Sequence, residues 1–281
     1  MRKRHTAAEL ATLRDQLVVA AEAERPVTVR GLFYRMLTPG LALTLPKSEA
    51  SYRRVQRQVK YLREETTHLP FDWVVDPTRT TDYVATYDSP EQYVRRAWDG
   101  YAFDGWRHSD FTVELWCESR GVHGSISQTA TDLWCPTVAT GGFASLSLLH
   151  TKATGYCRDV RVLWVGDHDS SGYAAQNAAL DRLRQWAPDD VTVTLVRIAV
   201  TPEQIEEMDL PTKPGNPRDK RKTMIANSVE VEAIPTATLR GIVDREIRRL
   251  MDPDDLAHAE RMTAAGQHFL RTFDMSRYDD A

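Results

Sequence analysis

Val160-Arg-Val-Leu-Trp-Val-Gly-Asp-His-Asp-Ser-Ser-Gly172 is the stretch on which the fold turns. Val160 to Val165 is short, apolar and β-branched, which predicts a buried strand. It runs directly into Gly166-Asp167-His168-Asp169, and a helix is expected from Gly172 to Trp186. The same punctuation recurs on both sides. Thr112 to Cys117 reads as a strand ending in Glu118-Ser119, with a helix from Val122 to Leu133. Pro136 to Ala139 reads as a strand followed by Gly141-Gly142, with a helix from Ala144 to Thr154. Val191 to Ile198 is another apolar strand. Strands alternating with helices indicate a mainly parallel sheet covered on its faces, an α/β fold class. Further on, a strand over Val229 to Ala233 and helices over Thr236 to Leu250 and Pro253 to Thr272 are expected, then an acidic tail.

In such sheets ligands bind beyond the carboxyl ends of the strands. Two strands here end in acids. Asp167 and Asp169 are two residues apart, so in an extended segment they share a side. Glu118 would meet them if its strand is the neighbour. Carboxylates converging in this way repel unless a hard cation joins them, and Mg²⁺ (or Mn²⁺ in its place) takes oxygen ligands. It would neutralise a phosphodiester and stabilise its attacking or leaving oxygen. Gly166 and Gly172 leave room for close backbone approach. An Asp-x-Asp pair is also common in turns and helix caps. His168, between the two, is expected to face away.

The first part of the chain is of another kind. Thr6-Ala-Ala-Glu9 is a capping box opening a helix to about Ala23, with Leu10, Leu13, Leu17 and Ala20 on its buried side. A second helix is expected from Val29 to Leu37, closed by Pro39-Gly40. A third, capped by Ser48, carries Tyr52, Val55, Val59 and Leu62 as its apolar stripe, with Arg53, Arg54, Arg57, Lys60 and Arg63 around the rest. Phe71 to Val75 reads as a strand. Three helices and a β ribbon outline a winged helix, whose third helix meets DNA. Basic residues on that helix suit backbone phosphates, Arg53, Arg54, Arg57 and Lys60 above all. A merely solvated face is the alternative. Domains are therefore expected at residues 1–79, a DNA-binding unit; 80–110, a connector with a helix over Pro90 to Trp98; and 111–281, an acidic α/β unit with C-terminal helices. At about 100° per residue, Val29, Leu32, Phe33 and Met36 form the core face of the second helix, and Tyr34 lies about 140° from Val29 beside Arg30. The pair reads as a nucleophile with a phosphate-holding partner, or as an aromatic at the core edge covered by arginine.

Bulk composition agrees with this division. The 281 residues have 42% hydrophobic and 27% charged residues, globular values that exclude a disordered chain. Residues 1–79 hold 14 Lys+Arg and 9 Asp+Glu, a net of +5, and the whole chain is −4, so the remainder is −9. A basic unit joined to an acidic one suits a partner rich in phosphate, with a cation site beside it. Three cysteines, Cys117, Cys135 and Cys157, suit reduced thiols rather than a disulfide framework or zinc. With no apolar run long enough for a membrane and no signal-peptide core, a cytoplasmic, nucleoid-associated protein is expected.

Glu118 after a strand, then Asp167-x-Asp169 and Gly172, resembles the Toprim domain. Thr28-Val-Arg-Gly-Leu-Phe-Tyr34 resembles the tyrosine helix of the A subunit of topoisomerase VI and of the related meiotic double-strand-break transesterase. The resemblance covers about residues 25–250, in the same order of domains. It implies that Tyr34 attacks DNA with Arg30 assisting, and that Glu118, Asp167 and Asp169 hold Mg²⁺, Glu118 also acting in catalysis. It implies a homodimer on double-stranded DNA, the tyrosine of one chain meeting the metal of the other, and an ATPase subunit as a separate partner. Ser119 stands where the family often has lysine, and Ser170 where it usually has proline. Hydrolytic cleavage by a Toprim-type nuclease with a structural Tyr34, and DNA binding with a vestigial acidic site, are the competing readings.

Overall fold

The computed structural model describes residues 6–76, 84–214, 225 and 227–272. The expected boundary at 79/80 and the acidic tail lie outside those residues. Helix α1, Ala7–Glu24, opens with the anticipated box: Thr6 Oγ1 accepts from the Glu9 N–H and Glu9 accepts from the Thr6 N–H. Helix α2, Val29–Arg35, is capped by Thr28, and α3, Glu49–Glu64, by Ser48. Leu13, Leu17, Leu32, Val55, Val59 and Leu62 are buried where these three helices meet.

The expected strand over Phe71–Val75 is not formed. Residues 71–73 turn, and Val74 makes a single parallel bridge to Val27. Val27 is followed at once by Thr28, which caps α2, so the would-be partner strand is one residue long. Arg63 takes the carbonyls of Phe71 and Val74 and fixes the turn in place of a ladder.

After α4, Pro90–Gly100, the alternating pattern appears as read: β1 Phe111–Cys117, α5 Arg120–Thr131, β2 Thr137–Ala139, α6 Leu146–Thr154, β3 Asp159–Val165, α7 Ser170–Trp186 and β4 Val193–Ala199. All four strands are parallel, in the order β2-β1-β3-β4. The period of two divides the side chains between two cores. Val113, Leu115, Cys117, Leu163, Val165 and Ile198 face α5 and the later helix α9, Thr236–Arg248. Trp116, Val160, Val162, Trp164 and Val193 face α6 and α7. The first core is continuous with that of α1–α3. Glu114 enters the second, 3% exposed, and is matched there: Lys152 Nζ lies 2.5 Å from Oε1, while the Trp116 indole N–H (2.8 Å) and the Tyr156 hydroxyl (3.1 Å) donate to Oε2.

Beyond β4 the chain forms α8, Pro202–Glu207, and an antiparallel pair, β5 Lys213–Pro214 with β6 Asn227–Ser228. The expected strand at Val229–Ala233 is one bridge, Val229 to His168, followed by a 3₁₀ turn over Val231–Ala233. The Val231 N–H donates to Asp167 Oδ1 at 2.9 Å, which bends the backbone towards the acids instead of along a sheet. The last helix is α10, Pro253–Arg271, packed against α4. No helix among the described residues is long and apolar enough to cross a membrane.

Candidate functional site

Strands β1 and β3 are neighbours, with Cys117 level with Val165, so both acidic ends emerge side by side. Glu118 Oε2 accepts from the Asp167 N–H at 3.1 Å. A Cβ on Gly166 would lie 2.8 Å from that oxygen, and one on Gly172 2.9 Å, so both glycines leave the space Glu118 fills. Asp167 Oδ1 is held by Val231. Asp169 caps α7, its Oδ1 accepting from the Gly172 N–H at 2.7 Å. His168 turns to the Tyr173 hydroxyl at 3.2 Å, away from the acids as expected.

Two acids that the motif reading passed over complete the group. Glu232 Oε1 accepts from the Ser119 hydroxyl at 3.0 Å, and Glu230 stands two residues earlier. Their signal was present, because Val229-Glu-Val-Glu-Ala233 spaces two acids as Asp167 and Asp169 are spaced. Arg197 was also passed over. Its guanidinium donates to the carbonyls of Gly166 (2.7 Å) and Asp167 (3.1 Å), placing one cation behind the acids.

The electrostatics show an excess of negative charge. Burial, then Glu232 and Glu118, push Asp167 up to about 7. Burial likewise raises Glu118, with Asp169 and Glu232 adding to it, and raises Glu232. Glu230 behaves oppositely. Burial would raise it, but hydrogen bonds from Lys213 and Arg30 outweigh this and hold it at about 2.

Tyr34 and Arg30 reach the same place. Arg30 Nε donates to Glu230 Oε2 at 2.9 Å, as does its terminal nitrogen, and Glu232 is 4.0 Å away. The Tyr34 side chain does not lie off the core, as the helix angles predicted. It is 2% exposed, with Lys47 Nζ 5.0 Å above its ring, and its phenol pKa is raised by burial and by Glu230. Lys47 and the 3₁₀-turn segment cover the flank that a lone helix would leave open. An open cleft of about 900 Å³ is lined by Arg30, Glu118, Arg120, Asp167, Glu230 and Glu232 among others. Arg30 and Glu230 line both this cleft and the smaller cavity beside Tyr34.

The residues read as DNA-binding diverge in exposure. Arg53 pairs with Glu49 at 3.1 Å and Lys60 with Glu64 at 3.5 Å, both on the solvent side. Arg57 is exposed, Arg54 half-buried, and Arg63 is spent on the turn after α3.

The chemistry of the donor set, hard carboxylate oxygens with raised proton affinity, fits a divalent cation. Glu118, Asp167 and Glu232 would be the residues to hold such an ion, with Asp169 at the margin. Among the described residues, no group of three or more His, Cys, Asp or Glu side chains stands in an arrangement that could hold a metal ion. Backbone N–H groups hold one oxygen each of Glu118, Asp167 and Asp169. Cys117, Cys135 and Cys157 are free thiols, the first two buried. No protein-family model matches the chain, and no curated protein matches it significantly.

Proposed function

We propose that the chain cleaves DNA with Mg²⁺, the Tyr34 phenol oxygen bonding to a backbone phosphorus as the P–O3′ bond breaks, so that a 5′-phosphotyrosyl link forms and, the phenol proton being lost and one regained, the sugar leaves as a 3′-hydroxyl, as the resemblance to the topoisomerase VI A subunit implies. The supporting observation is that Arg30, beside Tyr34 on α2, binds Glu230, stands 4.0 Å from Glu232 and lines one cleft with Glu118 and Asp167. On this reading α1–α3 form the winged-helix-like part and the parallel sheet the Toprim part. Bound Mg²⁺ supplies charge neutralisation of the phosphodiester. Glu118, Asp167 and Glu232 hold it. Arg30 fixes the phosphate by its planar fork, and the half-exposed cleft admits the duplex against α3. The same resemblance implies a homodimer in which Tyr34 of one chain meets the metal of the other. Strand passage coupled to ATP would need a separate subunit.

The burial of Tyr34 favours a second reading, in which water is the nucleophile and the phenol is structural. The two differ in whether protein stays on the DNA end. Incubation of the protein with supercoiled plasmid and Mg²⁺ or Mn²⁺, with and without protease before electrophoresis, separates them. Protein-linked ends support attack by Tyr34, and free ends support hydrolysis. DNA bound equally with and without the cation, and never cut, would sink both and leave a binding protein.

A further inference from the structure

Beside Tyr34 lies a cavity of about 270 Å³ whose lining includes Arg30, Tyr34, Lys47, Glu49, Lys213 and Glu230. It is built as an anion site and already contains an anion of its own. Glu230 Oε2 accepts from Arg30, and Oε1 accepts from Lys213 Nζ at 2.7 Å. Lys47 is the third cation, tethered through the Pro211 carbonyl at 3.0 Å. Arg30 and Lys213 both bind Glu230 and Lys47 brings a third positive charge to the cavity, while Glu49 on the same wall is paired with Arg53.

The geometry points to Arg30, Lys213 and Lys47 as a phosphodiester subsite in which Glu230 is an internal stand-in, displaced when a DNA phosphate enters. This rests on the reading that the site works on DNA. A guanidinium fork and an ammonium accept a phosphate with the same geometry as a carboxylate. Glu230 is held by side chains alone, and an entering phosphate would take over its bonds from Arg30 and Lys213. Glu230 lies between the single bridge at Val229 and the 3₁₀ turn, so moving its side chain breaks no strand ladder. The phenol of Tyr34 interacts with Glu230, so a phosphate in that position would stand before the phenol. Displaced Glu230 swings towards Glu232 and Asp167, where it adds negative charge for the cation.

Glu230→Gln keeps the shape and leaves the cations unmatched. Calorimetry with inorganic phosphate should then show binding about tenfold tighter than in the parent, the scale of one charge-assisted hydrogen bond. Adding Arg30→Gln should remove that gain. Phosphate affinity unchanged in Glu230→Gln, or a gain that survives Arg30→Gln, overturns the subsite. Lys213 is half-exposed, so Lys213→Gln keeps the test open should Glu230→Gln fail to fold. It should weaken binding of a short duplex about threefold, on the scale of one phosphate neutralised, and an unchanged affinity rejects the proposal. A phosphate gain without any plasmid cleavage rejects the cleavage reading and keeps the subsite, while cleavage without a phosphate gain does the reverse.

Discussion

Two carboxylates on one strand, four residues apart, meet opposite fates. Glu114 is sealed between sheet and helices, and its oxygens are fully matched by Lys152, Trp116 and Tyr156. Glu118 stands at the carboxyl end of the same strand among Asp167, Asp169 and Glu232, with Arg197 bonded to the carbonyls behind it and to Gln176. A buried charge that brings its own cation holds the fold together. Acids that outnumber the cations beside them repel each other, and on the proposed reading a cation from outside relieves this. Position along β1 decides which applies, because helices cover the middle of a parallel sheet and its carboxyl edge is open.

The contrast breaks most sharply at Asp167. Asp167→Ala should remove plasmid cleavage, by more than the roughly 10–100-fold expected for groups that merely support a metal ligand. Calorimetry that finds Mg²⁺ binding unaltered in this variant would dissolve the proposed cation site. Tyr34→Phe comes next. It keeps the ring in the core and removes one oxygen, so the fold should persist while protein–DNA adducts disappear and DNA binding remains. Cutting at the parent rate with free ends would assign the chemistry to water.

Stability sharpens the comparison, since the two acids should respond with opposite sign. Glu114→Ala leaves Lys152 without its partner and should cost about 3 kcal/mol in denaturant unfolding, Lys152 being able to turn partly to solvent. Asp167→Asn should instead stabilise the cation-free protein above pH 7, by about 1–2 kcal/mol. The sign follows from the raised carboxyl. Asp167 lies at about 7 in the fold against an ordinary 3.8, so the folded state holds more protons between those values and loses stability as pH rises through them. The advantage of the Asn variant should therefore be near zero at pH 4 and grow to pH 8. Mg²⁺ competes with that proton, so its binding should tighten from pH 6 to 8. An advantage independent of pH would mean that Asp167 is not crowded by its neighbours.

The regular parts of the fold were legible because their signals are local. The Thr6–Glu9 box, the Ser48 cap and the apolar runs of β1, β3 and β4 specify helix or strand within a few residues. The strand ends then carried Glu118 and Asp167 to one edge, needing only the adjacency of β1 and β3. Phe71–Val75 misled because strand-like residues mark burial as much as extension, and no partner strand exists for them at Val27. Glu230 lies 200 residues from Arg30 in sequence, so nothing near α2 could show what covers Tyr34. A seven-residue helix read by angle gives the core side of its own surface and not what the rest of the chain lays over the other.

The smallest effect is expected on α3, where the comparison of matched and unmatched charge repeats in basic residues. Arg53 and Lys60 have glutamate partners one turn away, exposed pairs of little energetic weight that DNA phosphates can readily replace. Arg57 is exposed and Arg54 half-buried on the same helix. If α3 lies along the duplex, Arg54→Ala with Arg57→Ala should weaken binding on all sequences alike. The slope of log affinity against log salt should flatten by about one for each phosphate that goes unneutralised. The fold should be untouched, because Val55, Val59 and Leu62 carry the packing of this helix. Restoring Arg57 alone should recover more of the slope than restoring Arg54, whose guanidinium is less free to reach a backbone. A salt slope that does not move in the double variant would place the duplex elsewhere, such as along the Arg30 and Arg120 rim of the cleft.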